Sequence, residues 1–409
     1  MTEFFNVVTP DEAVAIICTK LSKAESLQAN VKDSVGRVLA ESVYSSELLP
    51  AFTRSTMDGY SVRAQDTFGA SDTNPAYLEL AGEILMGQGQ HTSIAPGEAT
   101  TCFTGGMLAG GADAVLMIEN TSISKTGLIE VFRQVAPGEN TIQTGEDYCP
   151  GEMIAESGKI IDSHILGSLL SAGITKVDIT RNPNIAIFSS GDELVAPEEP
   201  LTAGKIRDIN LYMINSLIRE LGIDTTLFPL LPDDFDVQHE QAKEALTKCD
   251  AIVFSAGSSI SGRDLTAKVF ESLGKPGILV HGLSIKPGKP TILGICDNKP
   301  LIGLPGNPVS AVTVFKEVAR PIIMHMMGAP MQHIRTVVSC RLASNLSSSS
   351  GRTDYVRVQV VVEGEHNTAV PVYGKSNLIS TMVNSDGYVV IPSDSDGIYE
   401  GDFVDVVID

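Results

Sequence analysis

The chain reads as a multidomain α/β plus β protein, and three observations predict that class. Between Asn184 and Met327, short and wholly apolar strands alternate with helical runs. Such alternation implies a mostly parallel sheet covered on both faces, that is, a three-layer α/β domain. From Pro50 to Gly138, short β-like runs are cut by glycines, which predicts a small β-rich domain. After Gly328, strands with polar turns return, which predicts a C-terminal β-barrel of about 75 residues.

Each element has a local reason. Thr9 with Glu12 resembles a capping box and Pro10 suits a first helical position, so Thr9–Leu27 reads as helical. The runs Tyr77–Leu80, Thr100–Phe103, Ala114–Ile118 and Leu128–Val135 read as the strands of the β-rich piece. A helical run, Ser163–Ala172, stops at Gly173. The α/β strands are Ile185–Phe188, Leu227–Leu231, Ala251–Phe254, Ile278–Leu283 and Leu301–Leu304. The helices between them are Leu211–Leu221, Phe235–Lys248 and Leu265–Leu273, with Val309–Met327 after the last strand. The barrel strands are Thr336–Leu342, Tyr355–Val362, Thr368–Val372, Gly387–Ile391 and Asp402–Ile408.

Composition narrows the function. The 409 residues suggest about three domains. With 43% hydrophobic and 19% charged residues the chain is globular rather than disordered. A net charge of -21 argues against a nucleic-acid binder, which needs a basic face. The six cysteines form no CxxC and read as mostly buried, reduced thiols. The start, MTEFFNVVTPDEA, has neither a basic n-region nor an apolar core. The most apolar long stretch, Leu301–Gly328, is broken by Lys316, Glu317 and Arg320. The expectation is a soluble, cytoplasmic protein that spans no membrane.

In open parallel sheets, ligands bind outside the carboxyl ends of the strands. The loops there are SSGDEL (Ser189–Leu194), SAGSSISGRD (Ser255–Asp264), SIKPGKP (Ser284–Pro290) and GLPGNPVSA (Gly303–Ala311). In the last, Gly306 permits close approach, and Asn307 with Pro308 opens a helix whose free N–H groups suit an anion; ordinary capping is the plainer reading. SAGSSISGRD offers hydroxyls and bare amides, either as an anion cradle or as a solvated loop. Lys286 and Lys289 sit on a proline-stiffened loop and favour a multiply charged anion, or are a surface pair. Screening acts over about 8 Å, so local cations outweigh distant carboxylates. Glu193, Asp208 and Asp264 share the same edge, and carboxylates beside a phosphate site commonly hold Mg²⁺.

In this order the loops resemble the molybdopterin molybdenumtransferase family, the MoeA type that includes the gephyrin E domain. The resemblance spans essentially the whole chain. It is carried by Phe52 and STMDGY (Ser55–Tyr60), FTGG (Phe103–Gly106), GADAV (Gly111–Val115), GEN (Gly138–Asn140) and GED (Gly145–Asp147). SGDEL (Ser190–Leu194), DIN (Asp208–Asn210), IKPGKP (Ile285–Pro290) and GLPGNPVSA follow, with GRTDY (Gly351–Tyr355) and Lys375–Ser380 last.

The resemblance implies four domains: an elongated mixed domain from segments 1–49 and 138–180, a β-rich domain 50–137 inserted in it, an α/β molybdopterin-binding domain 181–330, and a β-barrel 331–409. It also implies a homodimer whose cleft is shared between subunits, and transfer of molybdate onto adenylylated molybdopterin with Mg²⁺-assisted loss of AMP. Asp58, Glu193, Asp208 and Asp264 are then the catalytic carboxylates, the last three also as metal ligands, holding Mg²⁺ or positioning water. Lys286, Lys289, Arg352 and Lys375 neutralise oxyanions, and Ser376 donates hydrogen bonds. Pro305, Gly306, Asn307, Pro308, Ser255, Gly257 and Ser259 fall in matching substrate loops, and Thr104 and Asp147 match site positions of less defined role. A molybdopterin adenylyltransferase is the implied donor of the substrate.

Ala256 and Ser261 depart from the family pattern SGG-x-S-x-G-x-x-D, and tungstate has the shape and charge of molybdate. The alternatives are a non-catalytic molybdopterin-binding scaffold and an amidase acting on a nicotinamide nucleotide through the same α/β domain. STMDGY and the barrel speak against the amidase.

Overall fold

The computed structural model describes residues 7–23, 25–87, 89, 92–256, 260–331, 335–363 and 366–409; at 256, 260–264 and 363 only the backbone course is described. The α/β sheet has six strands, in the spatial order Thr225–Leu227, Ile185–Ser190, Ala251–Ala256, Lys299–Pro305, Ile292–Cys296, Pro276–His281. The first four in that order are mutually parallel. Ile292–Cys296 runs antiparallel to both of its neighbours.

The sheet is apolar on both faces because both are covered. Ile185, Ile187, Ala251 and Val253 point into one core, with the helix Asn210–Arg219 and the long helical run from Pro308 to Met326. Ala186, Phe188, Ile252 and Phe254 point into the other, beneath Phe235–Lys248 and Ile260–Leu273. There Phe188 stacks on Phe228 and Phe254 with ring centroids 4.3 and 4.6 Å apart. Period-two alternation with two buried faces explains the unbroken apolar runs of the sequence.

Several expected elements differ. The first helix spans Pro10–Cys18, with the Thr9–Glu12 capping box formed, and does not continue to Leu27, because Ser26–Asn30 is a strand paired with Lys176–Thr180. This helix packs into the α/β core through Ala13, Val14 and Ile17. The strand expected at Leu227–Leu231 ends at Leu227, and Leu231 makes a single bridge to Ser190. The strand Ile292–Cys296 was not anticipated; it forms a hairpin with Lys299–Pro305 through Asp297 and Asn298, both at positive φ. The long helical run contains a π turn at Phe315–Ala319.

The β-rich piece is a six-stranded sheet ordered Ala114–Met117, Gly59–Val62, Glu98–Cys102, Ala76–Glu83, Ile129–Val131, Thr121–Ile123 around its own core. The mixed piece packs the helix Ser163–Ser171 on short paired strands through Leu169, Val177 and Ile179. The C-terminal barrel closes on itself: Thr353–Glu363 pairs with both His366–Pro371 and Gly387–Ile391, and Phe403–Ile408 pairs with both Val337–Leu342 and Gly387–Ile391. One strand of its sheet comes from elsewhere: Ile285–Lys286, from the α/β domain, runs parallel to Thr353–Asp354. Among the described residues no helix is long and apolar enough to cross a membrane. Five cysteines are buried and Cys149 is exposed.

Candidate functional site

The carboxyl ends of the parallel strands carry a polar, buried floor. Ser189, Ser190 and Ser255 are each at most 3% exposed. Asn210, which opens its helix, donates from Nδ2 to Ser255 Oγ and to the Gly306 carbonyl, both at 2.8 Å, and so ties three of the loops together. Asp208 lies just before that helix, 5% exposed, and accepts from the Leu211 N–H at 3.3 Å. Burial pushes its carboxyl above the ordinary carboxylate range, against the opposing pull of the nearby Ser189 hydroxyl and the helix amides. Glu193 follows Gly191, whose φ is +153°; a Cβ there would lie 2.6 Å from Glu193 Oε2, so the glycine makes room for that carboxylate. A short parallel ladder, Leu194–Val195 against Ile206–Arg207, separates Glu193 from Asp208.

A cleft of about 1160 Å³ opens between the α/β domain and the barrel; Glu193, Asp208, Asn210 and Ser255 do not line it. One wall carries Lys286, Lys289, Pro305, Gly306 and Asn307, and the other carries Arg352, Lys375 and Ser376. Thus eight of the expected substrate-binding residues line one space, and Pro308 opens the helix beneath it. Among the described residues the lining holds five cations, the fifth being Arg357, against one carboxylate, Asp354. Arg357 is engaged elsewhere, with Asp409 and with Ser385 Oγ at 2.9 Å. In a chain of net charge -21, this is a local concentration of positive charge of the kind that suits an anion.

Asn307 does not cap its helix with its side chain; it donates across the cleft to Ser376 Oγ at 2.9 Å. The Val309 N–H meets the Ser376 carbonyl at 3.1 Å, which consumes one of the helix's free amides.

Asp58 and Thr104 form a second locus in the β-rich piece. Asp58 Oδ1 accepts from the Thr104 N–H at 2.8 Å and from Thr104 Oγ1 at 2.9 Å. Those bonds, the backbone one foremost, hold this exposed carboxyl below its usual range. Gly59 next to it has φ +158°, and a Cβ there would sit 1.8 Å from the Leu116 carbonyl oxygen, so the strand that follows Asp58 closes on its neighbour only with glycine. Asp147 is exposed on a separate loop, its N–H bonded to the Leu49 carbonyl at 2.8 Å. Asp58, Thr104 and Asp147 do not line the cationic cleft of the same chain.

Gly257 and Ser259 lie outside the described residues, as do the side chains of Ala256, Ser261 and Asp264. Among the described residues no group of three or more His, Cys, Asp or Glu is arranged to hold a metal. Mg²⁺ needs less, since it commonly takes one or two carboxylates together with substrate phosphate oxygens and water. Buried Asp208, beside Asn210 whose Oδ1 is buried without a partner, offers a donor set of that kind. Glu193 could add a second carboxylate.

Two residues of the site were not singled out from sequence. Asn210 stood in the DIN motif, and Asp354 stood in GRTDY. Asp354 is 2% exposed and meets Lys286 Nζ at 3.4 Å and Arg352 Nε at 2.9 Å. An acidic residue two places after an arginine expected to bind anions was the available signal.

Comparison with known proteins agrees with this geometry. Family models match three successive stretches: the MoeA N-terminal region (domain I and II) over residues 8–173, a probable molybdopterin binding domain over 186–325, and the MoeA C-terminal region (domain IV) over 339–408. A Methanocaldococcus jannaschii protein named for molybdopterin biosynthesis is 34% identical over 98% of each chain. A molybdopterin molybdenumtransferase of Staphylococcus epidermidis is 27% identical, over 98% of this chain and 95% of that one. A crystal structure of a molybdopterin biosynthesis moeA protein from Pyrococcus horikoshii OT3 superposes with a TM-score of 0.83 at 29% identity, covering 98% of this chain and 100% of that one. Matched from end to end by these relatives, with the same multidomain fold and closed C-terminal barrel, the chain belongs to the MoeA family.

Proposed function

We propose that this transferase of molybdenum cofactor biosynthesis inserts molybdate into adenylylated molybdopterin, with Mg²⁺-dependent release of AMP. The observation that carries the reading is the cleft in which Lys286, Lys289, Arg352 and Lys375 converge on Gly306, Asn307 and Ser376. A unit charge pair about 4 Å apart is worth roughly 4 kcal/mol at the effective dielectric near a protein surface, before desolvation. Several cations around a dianion therefore outweigh the chain's overall negative charge.

In this reading the lysines and Arg352 bind molybdate and the substrate phosphates, and Ser376 and the backbone around Gly306 orient them. Asp208 and Glu193, with Asp264, hold Mg²⁺. When bound, the ion neutralises charge on the phosphoanhydride that breaks as AMP leaves. Asp58 and Thr104 belong to the same chemistry through a second copy of the chain, whose β-rich domain completes the cleft of a homodimer. Asp58 remains ionised at neutral pH and can orient the attacking water. We place the reaction in the cytoplasm, after an adenylyltransferase that supplies the substrate. Tungstate fits the same oxyanion site.

The test is AMP release from adenylylated molybdopterin with Mg²⁺, with and without molybdate. Molybdate-dependent release supports the transferase reaction. Tight pterin binding without release establishes the scaffold reading instead.

A further inference from the structure

Among the described residues, the one carboxylate on the cleft is buried while its two partners are not. Asp354 is 2% exposed, yet the Lys286 and Arg352 side chains keep 58% and 38% exposure. A purely structural buried ion pair would draw its cations inward as well. Here each cation spends one donor on Asp354 and keeps the rest. Arg352 gives Asp354 its Nε, and among the described residues both terminal nitrogens of the guanidinium make no hydrogen bond or ion pair. Fixing Nε sets the plane of the guanidinium, and the two remaining nitrogens form the fork that matches an oxyanion through paired hydrogen bonds. Lys286 gives one of three ammonium hydrogens to the other carboxylate oxygen.

The backbone holds Asp354 as firmly as its charge holds the cations. It is the register partner of Lys286 on one side and of Ile391 on the other, so it sits where the α/β loop enters the barrel sheet. The next residue, Tyr355, donates to Glu317 Oε2 at 3.3 Å on the π turn of the long helical run.

We propose that Asp354 is a positioning residue that presents Arg352 and Lys286 as a preformed fork for a tetrahedral dianion, molybdate in the proposed reaction. The proposal rests on the reading of the cleft as the oxyanion site. Asp354 does not touch the substrate; it removes the freedom of the two side chains that do.

The test is calorimetric titration of sodium molybdate into the full-length protein, alongside pterin binding and AMP release. Asp354→Asn keeps the size and loses the charge; molybdate affinity is expected to fall about tenfold, with pterin affinity changed less than twofold. In an Arg352→Lys background, which has no fork to orient, the same substitution is expected to add less than about threefold. If Asp354→Asn does not fold, Asp354→Glu takes its place, since the extra methylene shifts both cations while retaining charge, and weaker molybdate binding is again expected. Unchanged molybdate affinity in either folded variant overturns the proposal, as does an equal loss of pterin and molybdate binding. Wild-type protein that binds molybdate but releases no AMP sinks the proposed reaction and leaves Asp354 testable by titration. Wild-type protein that binds no molybdate overturns the role of Asp354.

Discussion

The Asn307 side-chain amide donates to Ser376 Oγ at 2.9 Å, joining the α/β domain to the barrel across the mouth of the cationic cleft. Asn307→Asp keeps the shape, replaces the donor with an acceptor and brings a negative charge among the cleft cations. Molybdate half-saturation is expected to rise at least about tenfold, from Coulomb repulsion alone. Ser376→Ala removes the acceptor of this bond together with the hydroxyl that orients the oxyanion, and is expected to cost about 1 kcal/mol in stability, read by urea unfolding. An Asn307→Asp enzyme with wild-type molybdate dependence would remove this contact from the oxyanion site.

Asp58→Ala is expected to lower AMP release by at least about a hundredfold, the scale of a lost acid–base or water-orienting group, with the circular dichroism spectrum unchanged. Thr104→Val keeps the backbone donor and removes the hydroxyl, so the Asp58 carboxyl returns partway toward its ordinary range. Asp58 is depressed in the fold, so the stability it contributes is present above the unfolded carboxylate range and is lost as pH falls through the lower folded value. The acid limb of the rate profile of Thr104→Val therefore moves to higher pH. A profile that stays in place means Asp58 is not the titrating group.

Asp208 works against the fold it serves. Burial raises its carboxyl, so protonation favours the folded state, and its stabilising contribution is lost as pH rises from the unfolded carboxylate range through the raised folded value. Asp208→Asn is expected to raise the thermal midpoint at pH 8 while cutting AMP release at least about tenfold. A variant that is both less stable and fully active contradicts the assignment.

Glu317 gathers a network under the barrel: Arg335 Nη2 at 3.1 Å, Tyr355 Oη at 3.3 Å and Tyr388 Oη at 3.0 Å all donate to it. Glu317→Ala leaves the Tyr355 and Tyr388 hydroxyls without their acceptor, at roughly 2 kcal/mol measured in urea. Burial, and then Glu317, push both tyrosines well above the ordinary phenol range. Their stabilising contribution is complete below the unfolded phenol range near pH 10 and is lost as pH rises toward the folded values. Tyr388→Phe keeps the ring and removes one of the two ionising phenols, so its stability is expected to fall less steeply than that of the wild type above about pH 10; an equal slope means Tyr388 is not a titrating group.

Thiol chemistry checks the packing independently. Burial pushes Cys18 and Cys102 up to about 11, and five of the six thiols are buried, with Cys149 exposed. A disulfide-exchange reagent at pH 8 is expected to titrate one thiol quickly in the native protein and all six after denaturation. Two or more fast thiols would mean that one of these cores opens readily.

Much of the architecture was legible because its signals are local. The alternation of Ile185–Ser190 and Ala251–Ala256 between two cores leaves continuous apolar runs, and the Thr9–Glu12 box marks a helix start within four residues. The strand Ile292–Cys296 escaped because it is short, carries a glycine and follows a proline-rich loop; the Asp297–Asn298 pair was the turn signal that would have found it. The lysines, Arg352 and Ser376 were recognisable as types, but nothing local says that residues 66 positions apart, Lys286 and Arg352, share one carboxylate. Partnership at that range is decided by the closing of the barrel, and so Asp354 stayed hidden in its motif.

The pairing of Ile285–Lys286 with Thr353–Asp354 turns the cleft into a gauge. Neighbouring strands are held about 4.8 Å apart by their amide ladder, and that spacing does not depend on which side chains project from it. Where the two walls meet, their separation is thus set by the backbone, and the side chains that project from the ladder decide how an oxyanion is gripped. Substitutions at the rim would change how tightly an oxyanion is held. Changing which side chains face each other across that seam would require altering the register of a β-ladder.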